Sequence, residues 1–93
     1  MKPRVTFISQ GRAGIVEYHD EIGSVRMDYE FGGGDCVAFI FLPSDTAWIN
    51  SWHRSPESKE AIMRVIAEET VRQKAPNCYY RMSEKFIEIF TNP

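Results

Sequence analysis

The stretch SVRMDYEFGGGDCVAFIFL, residues 24–42, holds two strands of different kinds in succession. In its first half Val25, Met27, Tyr29 and Phe31 alternate with Ser24, Arg26, Asp28 and Glu30, the period of two that gives a strand one dry face and one wet face. Gly32, Gly33, Gly34 and Asp35 then turn the chain. Cys36 to Leu42 follows with no polar alternation at all, which predicts a central strand covered on both faces.

Upstream, Val5 and Phe7 alternate with polar neighbours, so residues 4–9 read as a short strand, closed by Gln10-Gly11-Arg12-Ala13-Gly14. Residues 14–19 form the next strand, with Val16 and Tyr18 on one side and Glu17 and His19 on the other. Side-chain parity sets the register of the following hairpin, because a slip of one residue would turn every apolar group to the wrong face. A four-residue loop, Asp20 to Gly23, pairs Tyr18 with Val25 and Val16 with Met27, and it places Glu17 opposite Arg26.

Downstream, Pro43-Ser44-Asp45-Thr46 has turn chemistry, and residues 47–52 read as a further strand with Trp48, Asn50 and Trp52 on one face. Ser55 suits an N-cap, Pro56 the first helical position and Glu57 the first turn, where the helix dipole favours an anion. The helix so begun carries Ile62, Val65 and Ile66 as an inner stripe, widened by Met63, Ala67 and Thr70, and Pro76 stops it near Ala75. Glu60 with Arg64 and Glu68 with Arg72 are spaced for i,i+4 ion pairs on its wet side. Cys78 to Phe90 is extended, either one strand broken near Ser83 or a hairpin. The fold class is α+β: one domain over residues 1–93, an antiparallel β-meander of about five to six strands with one α-helix packed on one face, in the order βββββαβ.

At 93 residues the chain supports a single core. Its longest apolar run, Cys36 to Leu42, falls far short of the roughly 20 residues a membrane-crossing helix needs. The basic start at Lys2 and Arg4 is not followed by an apolar signal-peptide core, so a cytoplasmic location is expected. Cys36 and Cys78 are too few for a disulfide framework and read as small hydrophobes. The formal net charge of −2 is unevenly spread: Glu17 to Asp35 holds six acids against Arg26 alone, leaving −5 there and +3 elsewhere. Such an acidic hairpin repels nucleic acid and attracts cationic partners.

Each motif that could carry chemistry has a plainer alternative. His53 at a helix start could act as a base, but no nucleophile or carboxylate at short spacing orients it. Cys36 opens an apolar strand beside Asp35, a setting that opposes thiolate formation. Cys36, Cys78, His19 and His53 lack metal-ligand spacing, and Glu17, His19, Asp20 and Glu21 offer only a carboxylate-rich cluster. The glycines at 32–34 lack the following helix and Lys-Ser/Thr of a phosphate loop. Tyr79, Tyr80 and Arg81 imitate an RNA-stacking strip in a chain whose acidity argues against it. No catalytic residue, metal or cofactor is therefore expected, and neither nucleic acid nor membrane is an expected partner.

The segments Phe39-Ile40-Phe41-Leu42, Ala47-Trp48-Ile49, Ser55 to Glu60 with Ile62 and Ile66, and Phe86-Ile87-Glu88-Ile89 follow one another in an order that resembles small α+β bacterial immunity proteins encoded beside polymorphic toxins. The resemblance covers about half the chain and implies a cofactor-free cytoplasmic protein that blocks a toxin by binding it. The expected function is a non-enzymatic protein-binding module that holds a basic protein through Glu17, Asp28, Glu30, Trp52 and His53. Two other readings stand beside it. One is a small-ligand binder or minor enzyme with a cleft where Trp48, Trp52, His53 and Tyr80 converge. The other is a homodimer joined through a sheet edge or the sheet face that a single helix leaves bare.

Overall fold

The computed structural model describes residues 3–32 and 36–91, so the part of the expected glycine turn at residues 33–35 lies outside the described residues. Strands β1 (Arg4–Gln10), β2 (Ala13–His19), β3 (Ser24–Phe31) and β4 (Cys36–Phe41) are followed by a short helix α1 (Asp45–Asn50). A 3-10 turn (Pro56–Ser58), a long helix α2 (Lys59–Lys74) and the hairpin β5 (Cys78–Met82) and β6 (Phe86–Thr91) complete the order. All six strands join one antiparallel sheet in the spatial order β1-β2-β3-β4-β6-β5.

The α+β class and the helix on one face agree with the expectation from sequence, and the β2-β3 register is the one parity dictated. Tyr18 faces Val25, Val16 faces Met27 and Glu17 faces Arg26, with Glu17 and Arg26 ion-paired at 3.1 Å. The expected element order is corrected at one place, while the hairpin alternative for Cys78 to Phe90 holds. Residues 47–52 do not form a strand; Asp45–Asn50 is a helix, because the Ser44 hydroxyl caps it by accepting the Ala47 N–H at 3.1 Å, and Asp45 occupies its first turn. The order is therefore ββββααββ, and Cys78 to Phe90 is a hairpin whose turn is braced by the Ser83 N–H donating to the Phe86 carbonyl.

Val5, Val16, Tyr18, Val25, Met27, Ala38, Ile40, Ile87 and Ile89 share the inner face of the sheet, and Ile62, Met63, Ile66 and Ala67 of α2 close over them. Thr70 is also buried there, its hydroxyl donating to the Ile66 carbonyl at 2.7 Å. Val65, expected in the inner stripe, is exposed. Glu60 and Arg64 pair as their spacing implied, whereas Arg72 takes Glu69 one turn back in place of Glu68. Gly14 is buried because Tyr29 crosses over it to reach Ser9 Oγ at 2.7 Å, and a side chain there would collide with the Tyr29 ring and the Ile8 carbonyl.

The expected two-sided burial of β4 is also corrected. β4 is central, between β3 and β6, but only its inner side is closed: Ala38 and Ile40 are buried in the core, whereas Phe39 and Phe41 point to the face no helix covers.

One buried charge joins the two layers. Arg54, 5% exposed, lies between the Tyr18 and Trp48 rings at 5.6 and 6.0 Å and grips Asp20 with two bonds of 2.7 and 2.9 Å. Its Nη2 also donates to the Gly23 carbonyl, and Asp20 accepts the N–H groups of Ile22 and Gly23. The Arg54 guanidinium, aided by those N–H groups, holds the Asp20 carboxyl down at about 2. Because the folded state favours the ionised carboxylate, this stabilisation is complete above the ordinary value of 3.8 and disappears as pH falls through about 2. The shift corresponds to stabilisation on the order of 2 kcal/mol. Urea titrations should show wild-type stability falling between pH 4 and pH 2 more steeply than that of Asp20→Asn. At pH 7, Arg54→Ala should lose about 3–5 kcal/mol by stranding Asp20 and opening a cavity.

Candidate interaction surface

Strand parity assembles the outer face. One row across the sheet reads Glu30, Phe39, Glu88, Arg81 on β3, β4, β6 and β5; the next carries Phe41 beside Phe86, and Cys36, Phe90 and Tyr79 form a third. The rings touch in two groups. Phe86 meets Phe39 and Phe41 edge-on at 6.1 and 5.5 Å, Tyr79 stacks on Phe90 at 5.6 Å, and the Arg81 guanidinium lies 5.7 Å over Phe90. Phe41 and Tyr79 keep 36% and 40% of their surface open to solvent, although they are large apolar groups of a folded domain. A bulge between Cys36 and Ala38 lets Cys36 face outward beside Phe90. Burial, and then the charge of Glu88, raise the Cys36 thiol above its ordinary pKa, so it is a poor nucleophile.

The acidic half of the face adjoins this aromatic half. Asp28 and Glu30 are exposed on β3, and Glu17 lies one strand away with its charge engaged by Arg26. His19, on the same face, is held between Thr6 Oγ1 at 3.0 Å and Ser24 Oγ at 2.8 Å. Glu17, Asp28 and Glu30 thus share one surface.

Trp52 and His53 do not join it. Trp52 is half-buried against the core on the helix side of the sheet. His53 is exposed and adopts a positive φ of 55°, the only non-glycine residue to do so among those described. That left-handed turn ends α1, returns the Arg54 N–H to the Trp48 carbonyl at 3.3 Å and lets the Arg54 side chain enter the core. Trp48 is wholly buried, its indole N–H donating to the Ser55 carbonyl at 2.9 Å. The stretch Asn50 to Glu60 thus aims an arginine and starts a helix.

A groove of about 1080 Å³ opens between the start of α2 and the β5-β6 hairpin, lined by Leu42, Met63, Tyr80 and Met82 with charged groups around them. Its lining takes Tyr80 but not Trp48, Trp52 or His53, so the four residues of the small-ligand reading do not converge there. Lys59 at its rim is already bonded to the Pro43 carbonyl and to Asp45. Among the described residues no cluster of three His, Cys, Asp or Glu is arranged to hold a metal, and no helix is long and apolar enough to cross a membrane.

The outer aromatics escaped the sequence reading as interaction residues. The signal was in Phe86-Ile-Glu-Ile-Phe90, where isoleucines hold the inward parity and phenylalanines the outward one, in a chain with one helix to cover one face. Compared with known protein families, curated proteins and solved structures, the chain matches none.

If His53 serves mainly to turn the backbone, His53→Gly should be at least as stable as wild type, gaining up to about 1 kcal/mol in urea unfolding from relief of the left-handed strain. His53→Ala keeps that strain and should show no such gain.

Proposed function

We propose that the protein is a non-enzymatic protein-binding module whose docking surface is the sheet face opposite α2, and that its partner is a basic protein presenting apolar groups beside its cations. The observation that supports this reading is the row Glu30, Phe39, Glu88, where carboxylates alternate with an aromatic on an uncovered sheet. Aromatic groups provide the anchoring area of an interface, while neighbouring charges steer the encounter and exclude wrong partners. Inhibition of a bacterial toxin, the activity implied by the resemblance to immunity proteins, is one task such a surface would serve without cofactor or catalytic group. Trp52 and His53 fall outside this surface, and the proposal rests on Glu17, Asp28, Glu30 and the rings beside them.

The test starts from a basic protein that co-purifies stoichiometrically at low salt and is lost at high salt. Association of that protein with the Asp28→Lys/Glu30→Lys variant should be about tenfold slower or worse at low salt, with a flatter dependence on ionic strength. Unchanged association rates across the salt series would remove the acidic strand from the interface.

A further inference from the structure

The bare aromatic strip is self-complementary in charge. Strands β4, β6 and β5, at about 4.8 Å spacing and about 3.4 Å per residue, present a face of roughly 20 by 15 Å on which the rings lie to either side of a middle row holding Glu88 and Arg81. The strip is flanked on the β3 side by the carboxylate of Glu30 and on the β5 side by the guanidinium of Arg81. Neither residue forms an ion pair among the described residues.

We infer that in the free protein this face is occupied by a second copy of the chain, packed sheet on sheet about a two-fold axis that runs parallel to the strands between β4 and β6. The inference rests on the reading of the outer face as the interaction surface and names its partner when no other protein is bound. Rotation about that axis exchanges β4 with β6 and β3 with β5 while keeping each residue's level along the strands. Glu30 then meets Arg81 of the partner subunit, and by symmetry Arg81 meets Glu30 of the partner subunit. One level away, Phe41 and Phe86, which are cross-strand neighbours, meet Phe86 of the partner subunit and Phe41 of the partner subunit. Glu88 comes opposite Phe39 of the partner subunit and keeps Arg81 of its own chain directly across the β5-β6 pair. An axis laid across the strands along the same row would instead place each of these charges on its own copy. The charge pattern therefore selects the parallel axis, which matches the aligned packing, about 10 Å apart, of two-sheet sandwiches. An isologous contact of this kind closes on itself and stops at a dimer.

Sedimentation equilibrium of the full chain, from a few to several hundred micromolar, tests the arrangement on wild type, Glu30→Arg, Arg81→Glu and the Glu30→Arg/Arg81→Glu exchange, with circular dichroism confirming that each variant is folded. Wild type should dimerise, either single variant should weaken the dimer at least tenfold, and the exchange should recover most of that loss because the pairs re-form with reversed polarity. A wild-type chain that stays monomeric at the highest concentration overturns the inference and leaves binding of a basic partner standing. A dimer indifferent to both single variants, or weakened by both and not rescued by the exchange, overturns this face and axis. Failure of the basic-partner reading is separately visible as unaltered association of that partner with the Asp28→Lys/Glu30→Lys variant.

Discussion

A single buried arginine decides how the two layers are joined. Arg54 is removed from water and cannot shed its charge, so everything around it must supply compensation: both oxygens of Asp20, the Gly23 carbonyl and the faces of Tyr18 and Trp48. Those partners come from the end of β2, the β2-β3 loop and α1, which have little else in common. The guanidinium fork fixes their distances and angles together, whereas an apolar side chain in its place would leave the loop free to slide. It also accounts for the unusual backbone at His53, which bends so that its neighbour can reach inward.

The consequence is a molecule with a strong contrast between its faces. On the inner side, rings and branched chains of the sheet are sealed under α2, with the one cation neutralised in place. On the outer side, Phe41 and Tyr79 lie open in the same sheet face as the exposed carboxylates of Asp28 and Glu30. A domain of this length has only one helix long enough to cover a sheet, and six strands offer it two faces. Apolar surface that no element of the chain covers is available for another molecule, which is why the functional reading rests on β3, β4, β6 and β5 and leaves the groove at the start of α2 aside.

The β2-β3 hairpin was legible in the sequence to the residue, because alternation of Val25, Met27 and Tyr29 with charged neighbours admits one register for a given loop length. The same parity put Glu17, Asp28 and Glu30 together. The misreading of residues 47–52 came from the same tool: Trp48, Asn50 and Trp52 recur every second residue by coincidence, and a six-residue helix is too short to display a 3.6 period. Only the Ser44 cap distinguished the two. Hydrophobicity along Cys36 to Leu42 told that both sides of β4 avoid water but not whether anything shields them. Nothing in the sequence singles out Arg54, since a pairing with Asp20, 34 residues away in sequence, leaves no local trace.

Although β6 comes last among the elements, it lies inside the sheet, between β4 and β5. The β5-β6 hairpin therefore joins the rest of the sheet through its second strand. Until β6 docks, the hydrogen-bonding edge of β4 remains open along Cys36 to Phe41, a run rich in rings and branched chains and free of charge. That is the composition from which intermolecular strand pairing starts. The contacts that close this edge join residues 45 to 54 positions apart, so an emerging polypeptide passes through an interval in which this strand is complete and unpaired on one side. The protein's solubility during synthesis thus depends on how quickly the residues from 86 to 91 reach the slot kept for them.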